Sequence, residues 1–266
     1  MPRAFTRAVS PKLAECELTH LDRISIDPQA ADLQHSAYEQ ALADAGFEVI
    51  RLADLPDHPD AVFVEDTALL LDGHAVITRP GIATRASETE STATDLAAHF
   101  ELHHLENGYL DGGDVLRIGD TIYVGRSSRT DASGISELRR IVSPLGYRVV
   151  EAELRDCLHL KSGTTFAGPD AAGTPVLLFS PRSIDPAQFA GVEPMAVDER
   201  EPAAANCLRV GDRLILPAGN PRTAARLSER GFQVVEVDVS ELQKAEAGVT
   251  CMSLIDERAT MAGALT

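Results

Sequence analysis

A cysteine becomes a working nucleophile when an imidazole can manage the protons of the step. The chain offers one such pairing, held far apart in sequence: Cys251 in Thr250-Cys251-Met252-Ser253 and His159 in Leu158-His159-Leu160-Lys161. Carboxylates able to steer an imidazole or grip a cation occur as Glu65-Asp66 and as Asp111-Gly112-Gly113-Asp114, where the glycines permit close backbone approach between two acids. Each piece alone has a plain reading, since free cysteine is a common small core residue. Cys207, in an apolar run, reads as core, and Cys16 as structural. Cys157 adjoins His159, but the alternating segment reads as a strand, on which neighbours face opposite ways. His103-His104 lacks a cysteine or carboxylate at ligand spacing, so both read as rim histidines and no metal is expected.

What could bring these groups together is an internal repeat. Gly46-Phe47-Glu48-Val49-Ile50, Gly146-Tyr147-Arg148-Val149-Val150 and Gly231-Phe232-Gln233-Val234-Val235 share one pattern, each following a helical segment and opening a strand. His99-Phe100-Glu101-Leu102 and Ala190-Gly191-Val192 are weaker copies. Helix starts are signalled by Asp27-Pro28, by a capping box from Ser87 to Glu90, and by Asn220-Pro221. Hairpins are signalled where apolar runs flank Asp72-Gly73, Gly119-Asp120 and Gly211-Asp212, with a looser version from Ser162 to Phe179.

The run from Thr250 to Ile255 starts a fifth hairpin whose partner is absent at the C-terminus but available as Arg3 to Val9. A ring of five α/β units, closed by pairing the first and last segments, leaves no open sheet edge. Equivalent positions of successive units meet near the axis of such a ring. Here they are the starts of the first hairpin strands: Glu65-Asp66, Asp111 with Asp114, His159, Asn206 and Cys251. Unpaired buried charge is costly, so this polarity marks an active site on the axis.

The totals are consistent with an enzyme of small molecules. With 266 residues, 44% of them hydrophobic, the chain can bury a sizeable core. A net charge of −17 argues against polyanionic partners such as nucleic acid or a membrane surface, while leaving a small cation acceptable. No run is long and apolar enough to span a bilayer and no signal peptide is evident. Four scattered cysteines without a CxxC read as reduced thiols in a cytoplasmic protein. No linker-like stretch divides residues 1–266, which are expected to form a single catalytic domain, monomeric or homodimeric.

In order along the chain stand Phe63-Val64-Glu65-Asp66, Ile77-Thr78-Arg79-Pro80-Gly81, Leu110-Asp111-Gly112-Gly113-Asp114-Val115-Leu116, Leu158-His159-Leu160-Lys161-Ser162 and Thr250-Cys251-Met252-Ser253. This set resembles the dimethylarginine dimethylaminohydrolases of the guanidino-group-modifying, or pentein, superfamily, over about Leu18 to Ile255. The resemblance implies a five-bladed pseudo-symmetric α/β propeller. It implies Cys251 as nucleophile, His159 as general acid/base and Asp111 as the carboxylate orienting the histidine. Asp66, with Glu65 beside it, would grip the guanidinium, and Asp60 the α-amino group of the substrate. Arg85 and Arg129 would hold the α-carboxylate, Leu18 would touch the substrate from a lid loop, and the backbone carbonyl of Ala245 would receive the amine.

The implied reaction hydrolyses a methylated arginine to citrulline through a covalent thiouronium, without cofactor or metal. An arginine deiminase-like enzyme is the nearest alternative. Those enzymes carry His-Leu-Asp where this chain has His159-Leu160-Lys161, and the lost carboxylate favours a nitrogen with no N–H to donate. Agmatine, lacking a carboxylate, would leave Arg85 and Arg129 without that role. An inactive pentein acting as a binding protein would show a lost cysteine, histidine or carboxylate, and none is lost.

Overall fold

The computed structural model describes residues 1–258 of the chain. Its strands fall into five sheets of three. The second strand of a hairpin pairs antiparallel with the first and parallel with a strand that follows later. The sheets comprise β3 (Ala68–Leu71), β4 (His74–Ile77) and β5 (Glu101–His104); β6 (Val115–Ile118), β7 (Thr121–Gly125) and β8 (Arg148–Ala152); β9 (Thr164–Pro169), β10 (Pro175–Phe179) and β11 (Glu193–Ala196); and β12 (Leu208–Val210), β13 (Arg213–Pro217) and β14 (Gln233–Val237). The remaining sheet joins the two ends of the chain. Its strand β1 (Arg3–Thr6) lies parallel to β2 (Glu48–Arg51) and antiparallel to β15 (Leu254–Asp256), with Ala4 opposite Ile255. The closure expected from the orphaned fifth hairpin is therefore formed, and the fold is the five-bladed α/β propeller.

Parallel neighbours need a long crossover, usually a helix. Helices α1 (Pro28–Asp44), α2 (Ala86–Leu96) and α3 (Ala132–Val142) supply it in three blades, and a later helix, Pro221–Glu229, in a fourth. Only a 3-10 turn, Pro186–Gln188, links β10 to β11, which explains why the Ala190-Gly191-Val192 copy of the repeat is so weak. Gly46, Gly146 and Gly231 each take a positive φ just before the strand, the left-handed stop that L side chains resist.

Two helix starts differ from expectation. The Ser87–Glu90 capping box does not form, because a 3-10 turn, Ala83–Arg85, runs straight into α2 and places Ser87 inside it. Asn220 sits at the start of its helix but turns its side chain back to the Pro217 carbonyl; the Glu201 carboxylate instead accepts the N–H groups of Arg222 and Thr223. Asp27 caps α1 as expected, accepting from Gln29 and Ala30.

The core is divided into five apolar wedges between adjacent blades. Leu71, Val76, Val115, Ile122 and Leu138 fill one, while Phe5, Leu254, Ala75, Ile77 and Leu96 fill another. Fully burying each leucine or isoleucine contributes about 1.5–3 kcal/mol, so the wedges fix the angle between blades and with it the geometry at the axis.

Candidate active site

The five axial positions sit at one end of the ring, in turns just ahead of the first hairpin strands. Glu65 and Asp66 lie in the 3-10 turn Val64–Thr67, and Gly112–Asp114 forms a similar turn before β6. His159 is not on a strand. It caps a single helical turn, α4 (Leu160–Gly163), whose first N–H is taken by the Asp114 carboxylate at 2.9 Å. Asp114 also accepts from Ser127 and from Thr130 at 2.7 Å, so the second acid of Asp-Gly-Gly-Asp anchors the histidine's segment. The same turn changes the reading of Cys157, which is half-buried and donates its thiol to the His159 carbonyl at 3.4 Å. Cys207 is buried against Thr165, as expected of a core residue.

Cross-links between blades hold the two reacting segments. Asn206 donates to the Lys161 carbonyl and to the Thr250 hydroxyl, both at 2.9 Å, and accepts the Thr250 N–H at 3.0 Å. The Glu65 N–H donates to the Cys251 carbonyl at 3.1 Å. Sγ of Cys251 accepts the Gly248 N–H at 3.3 Å.

The imidazole of His159 lies between two carboxylates. Its Nε2 is 3.2 Å from Asp111 Oδ2, and its Nδ1 is 3.8 Å from Asp66 Oδ1. Asp111 is itself fixed by the Gly81 N–H at 2.9 Å. Gly113 must lack a side chain: a Cβ there would lie 2.5 Å from His159 Nδ1 and 2.8 Å from Asp66 Oδ1. Burial lowers the imidazole's pKa, but Asp66 and the hydrogen bond to Asp111 outweigh it and hold it up at about 9. Burial, reinforced by Glu65 and Asp66, pushes the Cys251 thiol up to about 12. The resting pair at neutral pH is thus a thiol and an imidazolium.

Cys251, His159, Asp60, Asp66, Arg85, Arg129 and Ala245 all line one small cavity with only about 20 Å³ of free space. Arg85 is wholly buried and nearly saturated. It contacts Asp66 at 2.5 Å and Glu88 at 2.8 Å, and it donates to the Phe63 carbonyl at 2.9 Å. Asp60 accepts the Glu17 N–H at 3.2 Å, and its pKa is raised to about 6 because burial outweighs the nearby Arg85. Glu65 points elsewhere. Its carboxylate meets Lys161 at 2.6 Å and accepts from Thr250 at 2.8 Å, facing a second cavity of about 470 Å³.

Leu18 packs against the core and does not line the small cavity, whereas its neighbours Glu17 and Thr19 reach the site. Arg129 donates to the Thr19 hydroxyl at 2.9 Å and lies 3.7 Å from Asp111, tying the N-terminal loop to the catalytic end. The same loop is fastened by Glu246, whose carboxylate accepts the N–H groups of Thr19 at 3.0 Å and of His20 and Leu21 at 2.5 Å. No motif singles out Glu246; its position directly after Ala245 was the only available signal. Glu246→Ala removes a latch worth about 1.5–3 kcal/mol for bonds to a charged acceptor. It is expected to raise KM about tenfold and to accelerate thiol labelling of the unliganded enzyme; an unchanged labelling rate would dismiss the latch.

A five-unit α/β ring with a thiol and a carboxylate-flanked imidazole converging on its axis is the architecture of the pentein superfamily. A family profile described as eukaryotic N,N dimethylarginine dimethylhydrolase matches residues 20–163. The chain is 42% identical over 255 residues to an N(G),N(G)-dimethylarginine dimethylaminohydrolase of Streptomyces coelicolor, covering 95% of this chain and 96% of the relative. It is 35% identical over 224 residues to the Pseudomonas aeruginosa enzyme of the same name, covering 83% and 86%. The chain belongs to the dimethylarginine dimethylaminohydrolase family. Among solved structures, a cysteine-to-serine mutant of the P. aeruginosa protein complexed with citrulline superposes with a TM-score of 0.87 at 32% identity, over 96% of this chain and 99% of that one. The N-terminal domain of ArgZ, a cyanobacterial arginine dihydrolase, shares the fold with a TM-score of 0.78 at 20% identity, over 96% and 98%.

Proposed function

We infer that the chain hydrolyses Nω,Nω-dimethylarginine and Nω-monomethylarginine to citrulline and dimethylamine or methylamine. The observation that carries this reading is the shared cavity: thiol, imidazole Nδ1 and the Asp66 carboxylate meet at one small acidic end. Asp66 would hold the guanidinium over Cys251, and the arriving cation would offset the carboxylates that keep the thiol protonated. The thiol proton then leaves to solvent, since His159 already carries one.

The thiolate attacks the guanidinium carbon, and the imidazolium donates its proton to the departing amine as the C–N bond breaks. That leaves a cationic thiouronium and a neutral imidazole. His159 next takes a proton from water, the hydroxide adds to the same carbon, and the C–S bond breaks with its electron pair going to sulfur; the adduct's hydroxyl proton passes to that thiolate as citrulline leaves, restoring thiol and imidazolium. Asp111 would orient the ring, and the Ala245 carbonyl and Asp60 would receive the α-amino group.

For the α-carboxylate, Arg129 is the readier partner. Arg85 is committed to Asp66 and Glu88, so its part is to hold Asp66 ionised and in place. Lys161 neutralises Glu65, leaving one acceptor fewer for guanidinium N–H groups, which supports the methylated substrate over arginine. All of these groups come from one chain, which supports catalysis by a monomer or by each subunit of a homodimer. Four free thiols support a cytoplasmic enzyme, and the ring of five sheets closed by β1 and β15 supports a single domain. Among the described residues no helix is long and apolar enough to cross a membrane.

Release of the ureido product from dimethylarginine, monomethylarginine, arginine and agmatine (citrulline from the first three, N-carbamoylputrescine from agmatine), each assayed at equal concentration, tests the reading. Turnover is expected with the two methylated substrates and at least about 100-fold less with the other two, because a substrate that leaves buried polar groups unpaired is rejected at the transition state. Arginine turnover equal to that of dimethylarginine would overturn it.

A further inference from the structure

We propose that His74, His103 and Glu101 form a divalent transition-metal site, with zinc the fitting ion, on the second blade and separate from the catalytic end. Strands β4 and β5 run parallel with His74 opposite Glu101 and Val76 opposite His103. Because side chains alternate along a strand, His74 shares a face with Val76, and Glu101 shares one with His103. Val76 packs into the wedge toward the third blade, so the two rings stand at the rim of that wedge and are half-buried.

The spacing is that of a coordination sphere. Zinc–nitrogen and zinc–oxygen bonds of about 2.0–2.1 Å in a tetrahedron put neighbouring ligand atoms about 3.3 Å apart. Here His103 Nε2 lies 3.2 Å from His74 Nδ1, and His74 Nδ1 lies 3.5 Å from Glu101 Oε2. The three donor atoms all fall within 4.8 Å of one another. Glu101 is 69% exposed and can swing in to shorten the remaining edge, and the open side leaves room for water as the fourth ligand. Among the described residues, the only ion pair of the Glu101 carboxylate is with His74, so no arginine or lysine competes for it. Two imidazoles and one carboxylate suit zinc, and copper or nickel less selectively, whereas magnesium and calcium prefer oxygen ligands. The ion would bridge β4 and β5 and stabilise the folded state by mass action.

The test uses Cys251→Ser protein, so that the catalytic thiol cannot bind the probe, and measures Zn²⁺ by equilibrium dialysis and by its effect on Tm. One Zn²⁺ per chain with roughly micromolar Kd and a raised Tm that EDTA reverses is expected. Adding His74→Ala or His103→Ala should weaken binding about 100-fold or more and abolish the Tm shift, while His104→Ala, on the opposite face, should change neither. In the wild-type background, His74→Ala and His103→Ala should leave dimethylarginine turnover intact, which confirms that the variants fold. Binding that survives both histidine substitutions, or no binding below millimolar Zn²⁺, would overturn the site. A neutral His–His hydrogen bond would give the second result.

Discussion

Replacing Cys251 by serine is expected to lower citrulline production at least about 10⁴-fold while leaving the fold intact, because residues that act as one catalytic unit fail together. The site explains the size of the loss. Even the thiol, with its pKa at about 12 from burial, Glu65 and Asp66, depends on the incoming cation to ionise. A serine hydroxyl, far less acidic, would not ionise in the same acidic cavity. His159→Gln should cost a similar factor, since it removes both the proton donor to the leaving amine and the base for water. The double variant should be little worse than either single one. Steady-state rates, thermal unfolding and labelling by a haloamidine probe supply the readouts. A serine variant retaining a tenth of wild-type turnover would remove Cys251 from the mechanism.

Asp66→Asn carries the second-largest expected effect, because one carboxylate serves three partners. It meets Arg85 at 2.5 Å, accepts the Gly113 N–H at 3.0 Å and lies 3.8 Å from His159 Nδ1. Burial would raise its pKa, yet His159 and Arg85 hold it well below the ordinary 3.8. Its ionisation therefore stabilises the fold above about pH 3.8, and that contribution is lost as the pH falls below it. His159 behaves oppositely. Its folded pKa of about 9 exceeds the ordinary 6.5, so the imidazolium's stabilisation is full below 6.5 and lost as the pH rises through 9.

Asparagine at position 66 leaves the buried Arg85 with Glu88 as its one ion pair among the described residues and removes a principal charge that keeps His159 protonated. About 3 kcal/mol of stability should be lost, the low end for breaking a buried pair. Turnover should fall about 10³-fold, and the imidazole's pKa should drop below 9, visible by NMR titration of the ring. An unchanged titration would refute the electrostatic role given to Asp66.

How much of this was legible depends on whether the signal is local. The hairpin dipeptides, the strand-opening glycines and the orphaned last strand are short-range features, and they specified five units and the pairing of Arg3–Thr6 with Leu254–Asp256. The axial set of Asp66, Asp111, His159 and Cys251 followed from the repeat and the motif order. The strand expected at His159 failed because an alternating tetrapeptide does not distinguish a strand from one helical turn, and Asp114 decides for the turn by capping it.

By itself, then, the sequence determined the ring, its closure and the meeting of Cys251 with His159 at one cavity, because periodicity and turn chemistry act between residues near in the chain. Only the tertiary structure decided which partner each charge takes. Glu65 turns to Lys161, Arg85 to Asp66 and Glu88, Glu246 to the loop at Thr19–Leu21, and His103 to His74 from the neighbouring strand. Those pairings join residues far apart in the chain, and a buried or half-buried charge takes whichever partner the packing of blades brings within reach. No spacing along the chain encodes that distance.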